Sequence, residues 1–205
     1  YDAYQVLDDA WQGIAIDLEM IQTEGLGAVR RVDPRMVIKK TRGEDVEVQD
    51  GWTGHVLPFD LVQGRMLKPE LSAISELETR VSQIDQELSE LLENMDEEEK
   101  GSSDAVSEDG GAFVGAELSR AVKAIGKSPE SDFDRALVKA KALLDEQKRT
   151  KKQIKASRVE LESRTKETIE SLSDEQCRDL LDAKWIAPLM EGLRALPRVA
   201  VDGFI

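Results

Sequence analysis

Apolar residues recur every three or four positions between residues 67 and 95. They form two interleaved rows of an a/d seam, the pattern of a helix that packs on another helix: Leu67, Ile74, Val81, Leu88 and Met95, with Leu77, Ile84 and Leu91 between them. Glu70 interrupts the seam near its start, and no Gly or Pro follows before Lys100. Because such a helix cannot bury its seam on itself, the pattern predicts a long helix that needs a partner helix, from this chain or from another protein.

A second stretch without Gly or Pro runs from residue 130 to 187, directly after Ser128-Pro129. Proline in a first turn is typical of a helix start, so a second long helix is predicted from there. Its apolar stripe is sparser, with polar residues at other seam positions, and its register stays open: Phe133, Leu137, Ala140, Leu144, Ile154, Leu161 and Leu172. The first long helix is acidic and residues 148–155 are basic, which favours antiparallel pairing of the two helices. Pairing with a partner protein instead stays open.

The residues before the first long helix have a different pattern. Six apolar residues at helical spacing predict an amphipathic helix that Gly25 closes: Tyr4, Leu7, Trp11, Ile14, Leu18 and Ile21. Strands are predicted at residues 28–32 and 36–41, with a turn at Arg42-Gly43-Glu44 and a return strand through Val46 and Val48. Residues 52–57 are predicted to add a short strand, and residues 58–66 are helical.

The remaining segments alternate between breaks and short helices. The acidic run 96–99 leads into residues 101–111, which are predicted to form a flexible loop because they are small, polar and charged. A short helix is predicted at residues 113–125, ended by Gly126. Ser173 and Gln176 have the spacing of a capping box, with Leu172 and Cys177 as its hydrophobic staple. A short helix then precedes a final helix that opens at Trp185 and ends at Pro197.

These elements predict a mainly α fold. A compact head at residues 1–65 combines an amphipathic helix with a short β-hairpin, and is therefore a small α+β unit. Residues 66–172 are predicted to form a long antiparallel coiled-coil-like helical hairpin, with the flexible acidic and Gly-Ser loop near residues 96–112. Residues 173–205 are predicted to form short C-terminal helices.

Composition narrows the functional classes. The 205 residues are 34% charged and 4% aromatic, with a net charge of −14, so the chain should repel a phosphate backbone unless its basic residues cluster. The single cysteine, Cys177, excludes an internal disulfide and suits a cytoplasmic location. No apolar run approaches the roughly 18 residues of a membrane span, so no membrane association is expected. Since the sequence does not begin with Met, we expect a piece of a longer protein.

Catalytic chemistry is hard to place. His55, the single histidine, has no nucleophile motif around it and is interpreted as a surface or packing residue. Gly25-Leu26-Gly27 lacks the third glycine and the preceding strand of a phosphate-binding loop. Asp8-Asp9 and the run 96–99 are interpreted as solvated charge rather than as a metal site. We therefore assign no catalytic, cofactor-binding or metal-binding residue.

The seams and the basic run supply the candidate binding residues. The partner-interface candidates are the apolar seam residues Leu77, Val81, Ile84, Leu88, Leu91, Met95, Leu144, Ile154 and Leu161. The candidate phosphate contacts are the cations Lys148, Arg149, Lys151, Lys152 and Lys155. The other interpretation of these cations is that they balance the acidic helix.

The order of several short motifs resembles one family. They are Tyr1-Asp2-Ala3-Tyr4-Gln5 with Trp11 and Asp17, Gly51-Trp52 with Leu57-Pro58 and Leu61-Val62, the Leu/Glu-rich helix after Met66, and Asp182-Ala183-Lys184-Trp185-Ile186. Together they resemble the C-terminal part of the modification (methyltransferase) subunit of Type I restriction–modification systems. The resemblance spans nearly the whole chain.

The resemblance implies an assembly role within a larger enzyme. The full-length subunit binds S-adenosylmethionine and methylates adenine N6 in a bipartite DNA site, as part of a complex with a specificity subunit and a motor–nuclease subunit. The catalytic Asn/Asp-Pro-Pro-Tyr/Phe motif and the glycine motif for the cofactor are absent here. The chain alone is therefore expected to lack activity and cofactor, and to dock on the specificity subunit through its long helices.

Two alternatives remain. The first is a stand-alone coiled-coil structural or chaperone-like interaction protein, which the seams alone would also fit. The second is an independent enzyme, which S-adenosylmethionine binding by the isolated chain would favour. Direct contact of residues 148–155 with DNA is a separate expectation, whose signature would be a steep loss of affinity with salt.

Overall fold

A computed structural model describes residues 3–41, 43–107, 109–126 and 128–202. It is mainly helical, with one two-stranded antiparallel hairpin near the N-terminus followed by long helices, which confirms the predicted fold class. The chain forms two compact units. Unit 1 contains the residues up to Leu71 and those from Val159 onward, and unit 2 contains Ser72–Arg158. Unit 1 is therefore assembled from two segments that are distant in sequence.

Unit 1 begins with helix α1 (Ala3–Glu24), which Gly25 ends at a φ of +68°, as predicted. A 3₁₀ helix, Gly25–Arg30, follows, so the strand predicted at residues 28–32 is wrong. Ala28 and Val29 are fully buried there. The run of apolar residues reflects burial on the core rather than an extended backbone, a confusion that is common for short apolar runs.

The hairpin pairs β1 (Val32–Thr41) with β2 (Glu44–Gly54), and Val37 lies opposite Val48. A bulge separates Pro34 from Met36 on β1. Trp52 continues β2 and pairs with Pro34, so the separate strand predicted at residues 52–57 is wrong. Arg42, in the predicted turn, lies outside the described residues. Gly43 next to it has a φ of +89°, which favours glycine because it has no Cβ.

The core of unit 1 joins the two ends of the chain. Side chains from the N-terminal segment pack against side chains from the end of α6 (Asp132–Glu170) and from α7 (Asp174–Asp202). The buried members are Ala28, Val29, Val56, Leu57, Val62, Ile169, Leu172, Cys177, Leu180 and Leu181. Cys177 is buried, which confirms its interpretation as a small buried apolar group. Burial also raises the pKa of its thiol.

Two helices lead from the hairpin into the seam. Helix α2 (Phe59–Met66) ends before Leu67, and α3 (Lys68–Glu93) starts directly after it. Pro69 is thus the second residue of α3, in the first turn, where its missing N–H costs no hydrogen bond.

Unit 2 is built from most of α3, α4 (Glu97–Ser102), α5 (Gly115–Ile125) and most of α6. Its core joins one face of α3 to α5 and α6. The buried side chains are Ile84, Leu88, Leu92, Met95, Ala105, Val106, Leu118, Leu137, Ala140 and Leu143. Leu92 was not among the predicted seam residues; it lies four residues after Leu88, so the buried face of α3 departs from the strict heptad.

Polar contacts across unit 2 give the direction of its two long helices. Arg80 donates to both carboxylate oxygens of Glu146, at 2.7 and 3.0 Å. Arg158 donates to Glu78 at 2.5 Å, and Gln147 donates to Asp85. Glu78 comes before Asp85 on α3, whereas its partner Arg158 comes after Gln147 on α6, so the two helices are antiparallel within the chain.

Three further boundaries differ from the prediction. The predicted loop at residues 101–111 contains the end of α4 and the buried Ala105 and Val106, and Val106 bridges to Phe113. Helix α6 starts at Asp132, so Pro129 lies before it rather than in its first turn. Helix α7 runs unbroken from Asp174 to Asp202, so the predicted start of a separate helix at Trp185 and its predicted end at Pro197 are both wrong.

The predicted break before α7 is confirmed. Ser173 accepts a hydrogen bond from the backbone N–H of Gln176, whose side chain accepts one from the N–H of Ser173. The two reciprocal bonds are those of a capping box. The domain division at residues 65 and 172 remains a prediction beside the two units that the structure forms.

Candidate interaction surfaces

The chain's own core covers much of the predicted seam. Among the partner-interface candidates, Ile84, Leu88, Met95 and Leu161 are buried. The others are half-buried: Leu77, Val81, Leu91, Leu144 and Ile154. Because Ile84 and Leu88 pack in the core of unit 2, a partner could not reach them without opening that core. Their role as partner contacts remains a prediction.

Exposed apolar side chains occur instead on α1. Trp11 is 58% exposed and Leu7 is 44% exposed, one turn apart on the predicted apolar stripe. Farther along the same stripe, Ile21 packs on the core of unit 1. The sequence therefore located the stripe correctly, but only its C-terminal half is used for the fold.

Helix α7 carries a second exposed pair. Ile186 is 48% exposed and Met190 is 41% exposed, again four residues apart on one face. Helices α1 and α7 pack on each other within unit 1. Contiguous exposed apolar patches are typical of binding surfaces. We call Leu7, Trp11, Ile186 and Met190 the apolar set. The sequence places both members of the α7 pair in the predicted final helix, but no local pattern shows that their face of the helix stays exposed.

A polar cluster around the buried Asp17 lies where α1 meets α7. Asp17 is 5% exposed, and its Oδ2 accepts hydrogen bonds from Lys184 Nζ at 2.5 Å and from Trp185 Nε1 at 2.8 Å. Lys184 also donates to the backbone oxygen of Val56 at 2.6 Å. The cluster thus fixes α7 to α1 and to the segment that follows the hairpin. These contacts hold the helices that carry the apolar set in a defined arrangement.

The base of the hairpin is held by a second set of contacts. Glu162 accepts a hydrogen bond from the backbone N–H of Trp52 at 2.8 Å, and Lys166 Nζ lies 3.5 Å from the centroid of the Trp52 ring. A cation over an indole face is attractive. A Cβ at Gly51 would lie 2.1 Å from Glu162 Oε1. Glycine at this position therefore leaves room for the Glu162 carboxylate to accept the N–H of Trp52. This set fixes β2 to α6.

His55 belongs to an ion cluster beside the hairpin. Its Nδ1 lies 2.6 Å from Asp33 Oδ2, and Arg31 donates to the other oxygen of Asp33 at 2.9 Å. His55 and then Arg31 lower the pKa of Asp33 by hydrogen bonding. The partners are charged side chains of the same unit, which fits the prediction that His55 is a packing residue.

The candidate phosphate contacts all lie on α6 in unit 2. Lys148, Arg149, Lys151, Lys152 and Lys155 are exposed. Asp145, Lys148, Arg149 and Lys152 line a shallow depression of about 350 Å³. The structure therefore brings the predicted cations together on one helix surface.

The acidic runs have other roles. Asp96 caps α4 by accepting the backbone N–H of Glu98 at 2.8 Å, and Glu97 pairs with Lys100. Asp8 is exposed, and the side chain of Asp9 lies outside the described part. Within residues 3–41, 43–107, 109–126 and 128–202, no group of three His, Cys, Asp or Glu side chains is placed to hold a metal ion.

No helix within the described ranges is long and apolar enough to cross a bilayer.

The fold and surfaces define a helical protein with two paired long helices and an α+β unit that carries exposed apolar side chains. Comparison with known protein families, with curated proteins and with solved structures finds no match to this chain.

Proposed function

We propose that the chain is the C-terminal assembly module of the modification subunit of a Type I restriction–modification DNA (adenine-N6) methyltransferase. The module docks on the specificity subunit. In this proposal S-adenosylmethionine and the catalytic motif belong to the rest of the full-length subunit, and the motor–nuclease subunit joins the same complex on DNA in the cytoplasm.

The observation that carries the proposal is the meeting of motifs from both ends of the chain. Asp17 lies in the first motif of the resemblance, and Lys184 and Trp185 lie in the last one; they form one buried cluster. Trp52, from the middle motif, lies in the same unit under Lys166. Tyr1 and Asp2 of the first motif lie outside the described residues. Three of the four motifs thus contribute to unit 1, and this supports the proposal.

The apolar set supplies the proposed docking surface. Leu7 and Trp11 on α1 and Ile186 and Met190 on α7 are all more than 40% exposed. A partner helix with an apolar face would remove this surface from water, which stabilises association by about 25 cal/mol per Å² buried before the costs of ordering. The seam residues of α3 are less suited to docking because the chain covers them itself.

The test is a mixing experiment with a specificity subunit of the same system, on a sizing column with light scattering. We expect a heterocomplex with the wild-type chain, and its loss with Trp11→Glu and with Met190→Glu. The matched control is Ile16→Glu, because Ile16 is as exposed as Trp11, at 58%, but lies on another face of α1. A heterocomplex that survives both test variants would contradict the docking surface.

One alternative is favoured by a specific observation. The pairing of α3 with α6 inside the chain, through Arg80 and Glu146 among others, is what a stand-alone coiled-coil structural or chaperone-like protein would have. In the same mixing experiment, a monomer or a homodimer that ignores the specificity subunit would favour this alternative. Glutamate substitutions at Ile84 or Leu88 would not separate the two proposals, because they place a carboxylate in the core of unit 2.

A further inference from the structure

Four lysines of α6 form one face of the helix in unit 2. Lys148, Lys151, Lys152 and Lys155 are spaced three and four apart, so their side chains lie on the same side of α6. They extend over about 10 Å along the helix axis at about 1.5 Å per residue. All four are exposed, and Arg149 flanks them. We call these four lysines the basic face.

The acids around the basic face are occupied by other partners. On α6, Asp145 pairs with Lys141 at 2.5 Å and Glu146 pairs with Arg80 at 2.7 Å. On α3, Glu78 pairs with Arg158, Asp85 accepts from Gln147, and Glu87 pairs with Arg80. Among the described residues, no salt bridge involves a lysine of the basic face. The lysines of the basic face thus have ammonium groups that no carboxylate holds in a direct ion pair.

The unpaired positive charge also acts on its surroundings. The pKa of Asp145 is lowered, first by its hydrogen bond with Lys141 and further by the charges of Arg149 and Lys148. Asp145, Lys148, Arg149 and Lys152 surround the shallow depression on this helix. The depression is thus an open, cation-lined surface rather than a closed cavity.

The chemistry of the basic face favours phosphate over an acidic protein. Protein interfaces have apolar centres and are depleted in lysine. Between residues 148 and 155 the one large apolar side chain, Ile154, is half-buried, and the exposed residues are polar or small. Contacts to a nucleic acid backbone need only cations at a spacing that follows a line of phosphates, and they carry no sequence information.

We propose that the basic face binds the phosphate backbone of double-stranded DNA without reading its sequence. This inference does not depend on the partner in the proposed function. The net charge of −14 opposes long-range attraction, but charges farther away than about 8 Å are largely screened at physiological ionic strength. The binding is therefore local, weak and strongly dependent on salt.

The experiment measures fluorescence anisotropy of a labelled random-sequence duplex, titrated with the 205-residue chain over a series of salt concentrations. We expect the logarithm of the affinity to fall linearly with the logarithm of the salt concentration. K148Q/K152Q should weaken binding equally for several unrelated duplex sequences. It should also reduce the slope by about 2, since each phosphate contact contributes about 0.9.

The matched control is K123Q/K139Q, which removes two exposed lysines of unit 2 that lie outside the basic face. It should leave the slope unchanged, and circular dichroism should show that both double variants remain folded. An equal loss in both double variants, or no binding at low salt, would overturn the proposal. Binding of poly-glutamate in place of the duplex would overturn it in favour of an acidic protein partner.

Discussion

Trp185 donates its indole N–H to Asp17 Oδ2 at 2.8 Å, although 168 residues separate them in the sequence. The same oxygen accepts from Lys184, the residue before Trp185. Consecutive residues of a helix point about 100° apart, so both can reach one oxygen only because Asp17 lies against the edge between their faces. The contact fixes the rotation of α7 against α1, and with it the positions of Ile186 and Met190.

Removing the Asp17 carboxylate should destabilise unit 1. In Asp17→Ala the ammonium of Lys184 and the indole N–H of Trp185 both lose their shared acceptor. We expect the free energy of unfolding to fall by about 3 kcal/mol. This is the lower end of the range for breaking a buried ion pair, because Lys184 is only partly buried. Urea unfolding followed by far-UV circular dichroism measures it.

Asp8→Ala is the control, because Asp8 is an exposed acid of the same helix and should change stability by less than about 0.5 kcal/mol. An Asp17→Ala protein as stable as Asp8→Ala would show that the cluster does not hold α7 in place.

Thr165 makes a buried polar contact at a seam position. Its hydroxyl donates to the backbone oxygen of Leu161 at 2.6 Å and accepts from Gln63 Nε2 at 3.0 Å, and the residue is fully buried. Thr165→Val keeps the shape but leaves the Gln63 amide without its acceptor. We expect a loss of about 1–2 kcal/mol in urea unfolding.

The control is Thr79→Val, which removes an equivalent bond from an exposed hydroxyl to Ser75 with no second partner. That variant should be nearly neutral. Equal effects of the two valine variants would mean that the Gln63 contact contributes nothing.

Two glycine-to-alanine substitutions should change the free energy of unfolding in opposite directions. A Cβ at Gly54 would lie 1.9 Å from the backbone oxygen of Leu57, whereas a Cβ at Gly13 meets nothing within 4 Å. Gly54→Ala must displace the backbone and should cost about 1–3 kcal/mol. Gly13→Ala lies inside α1 and should add about 0.5–1 kcal/mol, because glycine is entropically unfavourable in a helix.

Thermal and urea unfolding of the two alanine variants, each compared with the wild-type chain, measure this pair. Destabilisation by both substitutions would indicate that α1 is not a regular helix around Gly13.

The acid sensitivity of unit 1 should depend on Asp33. His55 and Arg31 hold its pKa below the ordinary value of about 3.9, so the ionised carboxylate stabilises the fold at higher pH. That stabilisation is complete above the unfolded-state pKa and is lost as the pH falls through the folded-state pKa. The stability difference between wild type and Asp33→Asn should therefore shrink between about pH 5 and pH 2.

Urea midpoints at a series of pH values measure that difference. Asp179→Asn serves as the comparison, since Asp179 is exposed and makes no ion pair among the described residues. It gives the baseline for replacing an exposed Asp by Asn in the same unit. A difference between wild type and Asp33→Asn that does not change with pH would contradict the role of the His55 cluster.

Local sequence signals located most elements correctly. The spacing of Ile84 and Leu88, the glycine at Gly25 and the box from Ser173 to Gln176 each depend on neighbours a few residues away, and each has the predicted structure. The errors occurred where distant packing overrides local preference. Ala28 and Val29 are apolar because the C-terminal helices cover them, not because they extend.

The surfaces were harder to predict for the same reason. Whether Trp11 is covered depends on how much of α1 packs against α7, and no residue near Trp11 in the sequence indicates this. The basic face is visible in the sequence. That its lysines form no salt bridge follows only from the structure, in which Glu146 and Glu78 pair with other cations. Those partners lie on a different helix.

The order of synthesis has a consequence for the Asp17 cluster. Lys184 leaves the ribosome 167 residues after Asp17, which takes on the order of ten seconds to half a minute at roughly 5–20 residues per second. During that time α1 lacks the helix that packs on it, while the whole of the continuous unit Ser72–Arg158 is synthesised. During synthesis α1 therefore exposes Ile21, which packs on the core of unit 1 in the finished fold, together with Trp11, so that a chaperone or binding partner meets a longer apolar stripe than the folded protein shows.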